Sequence, residues 1–198
     1  MSLKGMNLSG GKGNRGRVKD DYYATPPEDI RIFLDRLKQD GLDLNGSILE
    51  PACGGGHMSD VLVDYYGKEN ITSTDIVDRG YHYFDGVKDF LKDDFDKYHN
   101  VMTNPPFKYA QEFIEKALEI SSDKVLMFAK IQLLEGQKRR ELFETNPPSY
   151  IYVYSGRVNP LRNGMATDEN GKKWSSTMCF AWFIWDKKCS NETVVRWI

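Results

Sequence analysis

Cysteine and histidine are scarce in this chain of 198 residues, three of each, and they are scattered. Cys53, Cys179 and Cys189 are odd in number and lack CxxC spacing, which argues against a disulfide framework; His57, His82 and His99 stand singly, so no zinc signature arises. No metal site is expected. Long apolar runs are missing too: nothing approaches the roughly 18 consecutive apolar residues of a membrane span, and the N-terminus has no apolar core of a signal peptide. The expectation is a cytoplasmic protein without membrane contact. An excess of either charge is also lacking. At a net charge of −2, nucleic-acid binding would have to come from local basic patches. No internal repeat and no dividing linker is found, and the length suits one domain with a large core.

What is present is ordered around Thr103-Asn104-Pro105-Pro106-Phe107, which follows the short run His99-Asn100-Val101-Met102. A strand must stop at Asn-Pro-Pro, because proline lacks the amide hydrogen for a ladder and keeps the preceding residue out of the helical region. In the stiff turn that results, the Asn104 side-chain oxygen and the Pro105 carbonyl are two acceptors beside an aromatic ring, Phe107. That set suits a planar group carrying an amine; a rigid loop with a core phenylalanine is the plainer alternative.

Upstream, residues 1–19 carry Lys4, Lys12, Arg15, Arg17 and Lys19 with no acid, and read as a flexible basic arm, either tracking phosphates or merely a solvated tail. Residues 20–198 then read as a single folded domain. Thr25 stands where it would cap a helix opened by Pro26, Pro27 and Glu28 and carried on by Ile30, Phe33, Leu34 and Leu37 to near Gly41. Ile48 to Ala52 reads as a strand entering the glycine turn Cys53-Gly54-Gly55-Gly56-His57, with a helix through Met58, Val61 and Leu62 behind it, as at the opening of a doubly wound nucleotide-binding fold. Ser59 replaces the third glycine of the dinucleotide fingerprint, which disfavours a pyrophosphate ligand. A second strand, Ile71 to Ile76, ends at Asp75, in the spacing that places an acid on ribose hydroxyls. Asp89-Phe90-Leu91 is either a wall for an adenine ring or a helix start.

Beyond the Pro-Pro turn, residues 109–120 and 133–144 predict helices, while Val125–Ala129, Tyr150–Tyr154 and Met178–Trp185 predict strands. Gly156 to Thr177 is left as a long polar loop, a candidate substrate-recognition element through Arg157, Asn159, Arg162, Asn163, Lys172, Lys173 and Trp174. The fold class follows from this order: α/β, doubly wound, a mostly parallel seven-stranded sheet with an antiparallel C-terminal hairpin.

Tyr22-Tyr23-Ala24-Thr25-Pro26, Glu50-Pro51-Ala52-Cys53-Gly54-Gly55-Gly56, Asp89-Phe90-Leu91 and Asn104-Pro105-Pro106-Phe107, in that order over most of residues 21–128, resemble the motifs of S-adenosylmethionine-dependent adenine-specific DNA methyltransferases of small bacterial or phage type. The resemblance implies a Rossmann-like class I methyltransferase fold with S-adenosylmethionine as cofactor. It places Tyr23, Thr25, Glu50, Ala52, Gly54 and Gly56 around the cofactor, with Thr25 and the glycine turn at its methionine end, Asp75 at its ribose and Asp89 and Phe90 at its adenine. Asn104, Pro105, Pro106 and Phe107 become the catalytic turn that holds the target base. DNA is then the substrate, RNA or a protein glutamine the nearest rivals, and a partner protein a further source of specificity. His57 departs from the family, which often has an aromatic residue after the last glycine. A catalytically silent binding subunit is the rival of a different class.

Overall fold

The computed structural model describes residues 22–189 and 192–198; the basic arm of residues 1–19 lies outside them. The strands and helices run, in chain order, β1 (Tyr23–Ala24), α1 (Pro27–Gln39), β2 (Ile48–Glu50), α2 (His57–Tyr66), β3 (Ile71–Asp75), β4 (Gly86–Val87), β5 (Tyr98–Thr103), α3 (Ala110–Ile120), β6 (Ser121–Lys130), α4 (Arg140–Thr145), β7 (Tyr150–Val153), β8 (Leu161–Arg162), β9 (Phe180–Asp186) and β10 (Val194–Trp197). The main sheet has the order β10-β7-β9-β6-β5-β2-β3-β4. β9 alone is antiparallel to its neighbours, pairing with β6 on one side and β7 on the other.

Why the sheet is covered on both faces is visible in the alternation along its central strands. On β6, Leu126 and Phe128 join the cluster with α1 and α2, while Val125 and Met127 join the cluster with α3 and α4. Side chains of period two thus supply two cores from one strand, which is why these strands read as continuous apolar runs. On the first face, the Phe33 and Trp182 rings stack at 4.3 Å between centroids, and Trp182 Nε1 donates to the Tyr154 hydroxyl at 2.9 Å. Among the described residues no helix is long and apolar enough to cross a membrane.

Four local expectations are corrected. The seven strands are joined by an eighth, β10, laid parallel on β7. Its residues Val194, Val195 and Trp197 are largely exposed, so no buried face marks the segment in the sequence. Thr25 does not cap α1: Pro26 holds the N-cap position with no side-chain cap bond, because a residue before proline is driven to extended backbone. The helix expected over 133–144 is reduced to α4, since Gly136 at φ +125° breaks it. The segment 156–177 is not structureless: β8 within it pairs antiparallel with β1, Tyr23 opposite Arg162 and Ala24 opposite Leu161.

The parallel strands β2, β3 and β5 all end at one rim. Strand order reverses between β2 and β5, the position at which open α/β sheets leave a crevice.

Candidate active site

The crevice is a cavity of about 560 Å³. Glu50 closes β2 and Asp75 closes β3, and both line it; Asp89 and Phe90 line it beyond β4, and Asn104 and Pro106 after β5. Tyr23, Thr25 and Ala52 complete the expected set on its wall. Gly54, Gly56, Pro105 and Phe107 do not line it.

The two glycines act one layer behind. Gly54 sits at φ +57° and Gly56 at φ +86°, a region that L side chains avoid. A Cβ on Gly54 would lie 2.3 Å from the Tyr22 ring, and one on Gly56 2.0 Å from Tyr81. Their bareness lets two tyrosines close over the turn. The Gly54 amide donates to Asp75 Oδ2 at 2.9 Å and the Gly55 amide to the Tyr22 hydroxyl at 2.8 Å. Asp75 Oδ1 accepts from the Val77 amide at 2.8 Å. Asp75 is thereby fixed on two backbone donors while facing the cavity.

Glu50 is 2% exposed, and the Ser59 hydroxyl donates to its Oε2. Burial, reinforced by the Asp75 charge and only partly offset by Ser59, pushes its pKa up to about 8. The carboxyl is therefore mostly protonated at neutral pH. Because the folded value lies above the unfolded one, the stability it contributes is fully present below about pH 4, the ordinary glutamate range, and is lost as pH rises towards 8. Glu50→Gln keeps the acceptor for Ser59 and cannot ionise. Thermal melts across pH 5 to 8 are expected to show the parent losing stability with pH, at up to about 1.4 kcal/mol per unit, and the variant staying nearly flat.

Asp89 behaves oppositely. Lys92 Nζ, 2.8 Å away, holds its carboxyl below the usual range, so it remains an ionised acceptor. Beside it Phe90 packs edge-on to Phe95 at 5.2 Å and against Phe113 at 4.9 Å, and the slot between Asp89 and Phe113 is both apolar and equipped with an acceptor.

Asn104 is held by its amide nitrogen. Its Nδ2 donates to the Tyr23 carbonyl at 2.7 Å and to Thr25 Oγ1 at 3.1 Å. Asn104 is one of the lining residues, so with Nδ2 committed Oδ1 is the amide atom available to a ligand. Phe107 stacks on the Tyr23 ring, 5.8 Å between centroids at 24°, and Lys130 Nζ stands 4.1 Å from its centroid.

Several lining residues carry no sequence signal of their own. Tyr22 opens one of the motifs and His57 closes the glycine turn without either being assigned a role, and His57 Nε2 lies 3.2 Å from the Gly164 carbonyl. Lys88 and Lys92 bracket Asp89-Phe90, and Lys108 follows Phe107, so proximity to the motifs would have found them. Arg79, in the coil after β3 with its guanidinium 4.5 Å from the Tyr22 ring, had no such mark.

No protein family model matches the chain, and no curated protein sequence matches it. Solved structures do. A proposed RNA methyltransferase from Pyrococcus horikoshii is similar over 87% of this chain and 90% of its own, with a TM-score of 0.62 at 16% identity. A proposed class I S-adenosylmethionine-dependent methyltransferase from Listeria monocytogenes gives a TM-score of 0.63 at 15% identity, over 93% of this chain and 68% of that one. The modification subunit of a proposed type I restriction enzyme from Vibrio vulnificus gives 0.56 at 13% identity, over 89% and 47%. The chain has the Rossmann-like fold of these proteins, with a mostly parallel sheet and one antiparallel strand inserted near its end.

Proposed function

We propose that the chain is a methyltransferase that uses S-adenosylmethionine to methylate the exocyclic amine of adenine in DNA. The observation that carries this reading is the tethering of Asn104 through Nδ2, which leaves a fixed acceptor at the mouth of a nucleoside-sized cavity. The cavity fits the cofactor by its donor set. Asp75 suits ribose hydroxyls, the Asp89 carboxylate beside Phe90 and Phe113 suits an adenine with its amine, and Glu50 is a buried carboxyl that pairs with no cation among the described residues. Its volume falls within the range of about 300 to 1,000 Å³ usual for small-ligand sites.

When bound, S-adenosylmethionine supplies a methyl group on a sulfonium, open to attack by an amine. The chain's own part is to make the amine able to attack. An adenine amine is a poor nucleophile because its lone pair is delocalised into the ring. Asn104 Oδ1 accepts one of its hydrogens and draws the pair back onto nitrogen; the Pro105 carbonyl, expected from the sequence as the second acceptor, does not line the cavity. Orientation and preset dipoles lower the barrier, with no general base required before transfer. In duplex DNA the base must first leave the stack. The Tyr23 ring, backed by Phe107, is the aromatic platform against which it rests, and Lys88 and Lys108 at the cavity supply cations for flanking phosphates. The 156–177 segment is the candidate reader of target sequence.

The likeness to an RNA methyltransferase keeps RNA as the second reading. Purified protein with methyl-labelled cofactor, offered DNA, RNA and protein side by side, is expected to label adenine in DNA. Label confined to RNA or to a protein glutamine would reassign the substrate; no label on any of the three would make the chain a binding subunit. Calorimetry gives a separate check on the cofactor: Asp75→Ala is expected to weaken its binding by about 1–3 kcal/mol, and Asp75→Asn, which keeps an acceptor for Gly54, by less.

A further inference from the structure

An asparagine amide can be seated two ways round, and only with its NH₂ turned away from the cavity does Asn104 offer an acceptor there. We propose that β1 is a positioning strand: the Tyr23 carbonyl and the Thr25 hydroxyl seat the Asn104 amide with its oxygen towards the cavity, and the 156–177 segment contributes to turnover by bracing β1 through β8. The inference rests on the methyl-transfer reading and gives Thr25 a task different from contact with the cofactor.

The two acceptors are not equivalent. If the amide turned over, Oδ1 would take the place of Nδ2, 2.7 Å from the Tyr23 carbonyl oxygen, with no hydrogen between the two oxygens. The Thr25 hydroxyl, at 3.1 Å, can rotate to donate or accept and so tolerates either seating. The carbonyl therefore sets the sense, and the hydroxyl of Thr25, a residue only 2% exposed, fixes the plane.

A strand of two residues cannot hold that carbonyl unaided. Its anchors are identifiable. The Tyr22 hydroxyl accepts from the Gly55 amide at 2.8 Å, and the Tyr23 ring stacks on Phe107. The remaining anchors come from the 156–177 segment: the pairing of β1 with β8, and the Asn163 amide donating to the Tyr22 carbonyl at 3.1 Å. His57 ties the same segment to the glycine turn through the Gly164 carbonyl. One short strand thus links the cofactor turn, the acceptor amide and the candidate recognition segment.

The test uses the whole chain with Thr25→Val and Thr25→Ser, measuring kcat and KM on a DNA substrate at saturating cofactor, and cofactor affinity by calorimetry. Thr25→Val is expected to lower kcat about tenfold, as for one lost hydrogen bond, with cofactor affinity unchanged; Thr25→Ser is expected to restore it. Weaker cofactor binding with kcat intact at saturation would assign Thr25 to the cofactor and overturn the proposal, as would no change in either quantity. Should Thr25→Val fail to fold, the parent protein decides by amide exchange. The Asn104 side-chain hydrogens, identified by their absence in Asn104→Asp, must exchange more slowly than those of the exposed Asn170; equal rates would refute the seating. These results bear on the seating alone, whereas full activity of Asn104→Ala would strike the methyl-transfer reading itself.

Discussion

Asn104→Ala is expected to reduce methyl transfer at least about 100-fold, as for removal of one preset hydrogen-bonding group from a transition state, while cofactor affinity stays within error of the parent. The separation follows from where the side chain is spent. Its nitrogen is committed to Tyr23 and Thr25, and its oxygen is the only part left for a ligand. The proposed work of that oxygen is on the amine being methylated, so losing it raises the barrier without loosening the donor. Single-turnover rates at saturating cofactor and target, together with cofactor titration, measure the two effects apart. Asn104→Asp is a sharper variant still. A carboxylate keeps an acceptor for the amine but sets a charged oxygen against the Tyr23 carbonyl, and its rate is expected to fall nearly as far. Full activity of Asn104→Ala on DNA, RNA and protein alike would remove the proposed mechanism.

Much of this arrangement was legible in the sequence, and the reasons differ by element. The doubly wound sheet was readable because β6 and β9 are buried on both faces and so carry unbroken apolar runs, and because a glycine turn follows β2. Nine of the expected site residues line one cavity because they stand at strand ends on the same rim, which strand order alone determines. Gly54 and Gly56 were legible as special backbone, but what they make room for is Tyr22 and Tyr81, and no local pattern announces that approach. Phe107 and Pro105 were adjacent to the right residues yet turn elsewhere, since a two-proline turn dictates backbone and leaves side-chain direction to packing. The β1 and β8 pairing was beyond sequence reading for a simpler reason. Two residues pairing with two across most of the chain produce no period.

That pairing changes what removal of the 156–177 segment should do. Its residues divide into two groups. Arg157 Nη1 donates to the Ser176 carbonyl at 2.6 Å, Asn159 Oδ1 accepts from the Ser176 amide at 2.8 Å, and Trp174 Nε1 donates to the Met165 carbonyl at 2.7 Å, so these side chains are engaged in shaping the segment. Lys172 and Lys173 are exposed at its distal turn, where the Asp168 carboxylate accepts from the Asn170 and Lys172 amides. Replacing 166–173 by a short Gly-Ser linker keeps β8, Asn163 and Gly164 and removes only the distal turn. Target affinity is then expected to fall about tenfold at moderate salt, and the slope of log affinity against log salt to fall by about 2, one for each lysine lost from phosphate contact. Turnover at saturating target should persist. Replacing 158–173 removes β8 as well, and with it the brace on β1; turnover at saturating target is expected to fall about 100-fold in addition, because a catalytic acceptor displaced by about 1 Å costs that much. Cofactor affinity should survive both replacements, since Glu50, Asp75 and Asp89 lie on other elements. If the longer replacement leaves both turnover and site choice unchanged, the segment neither reads the target nor braces the strand, and specificity must come from a partner protein.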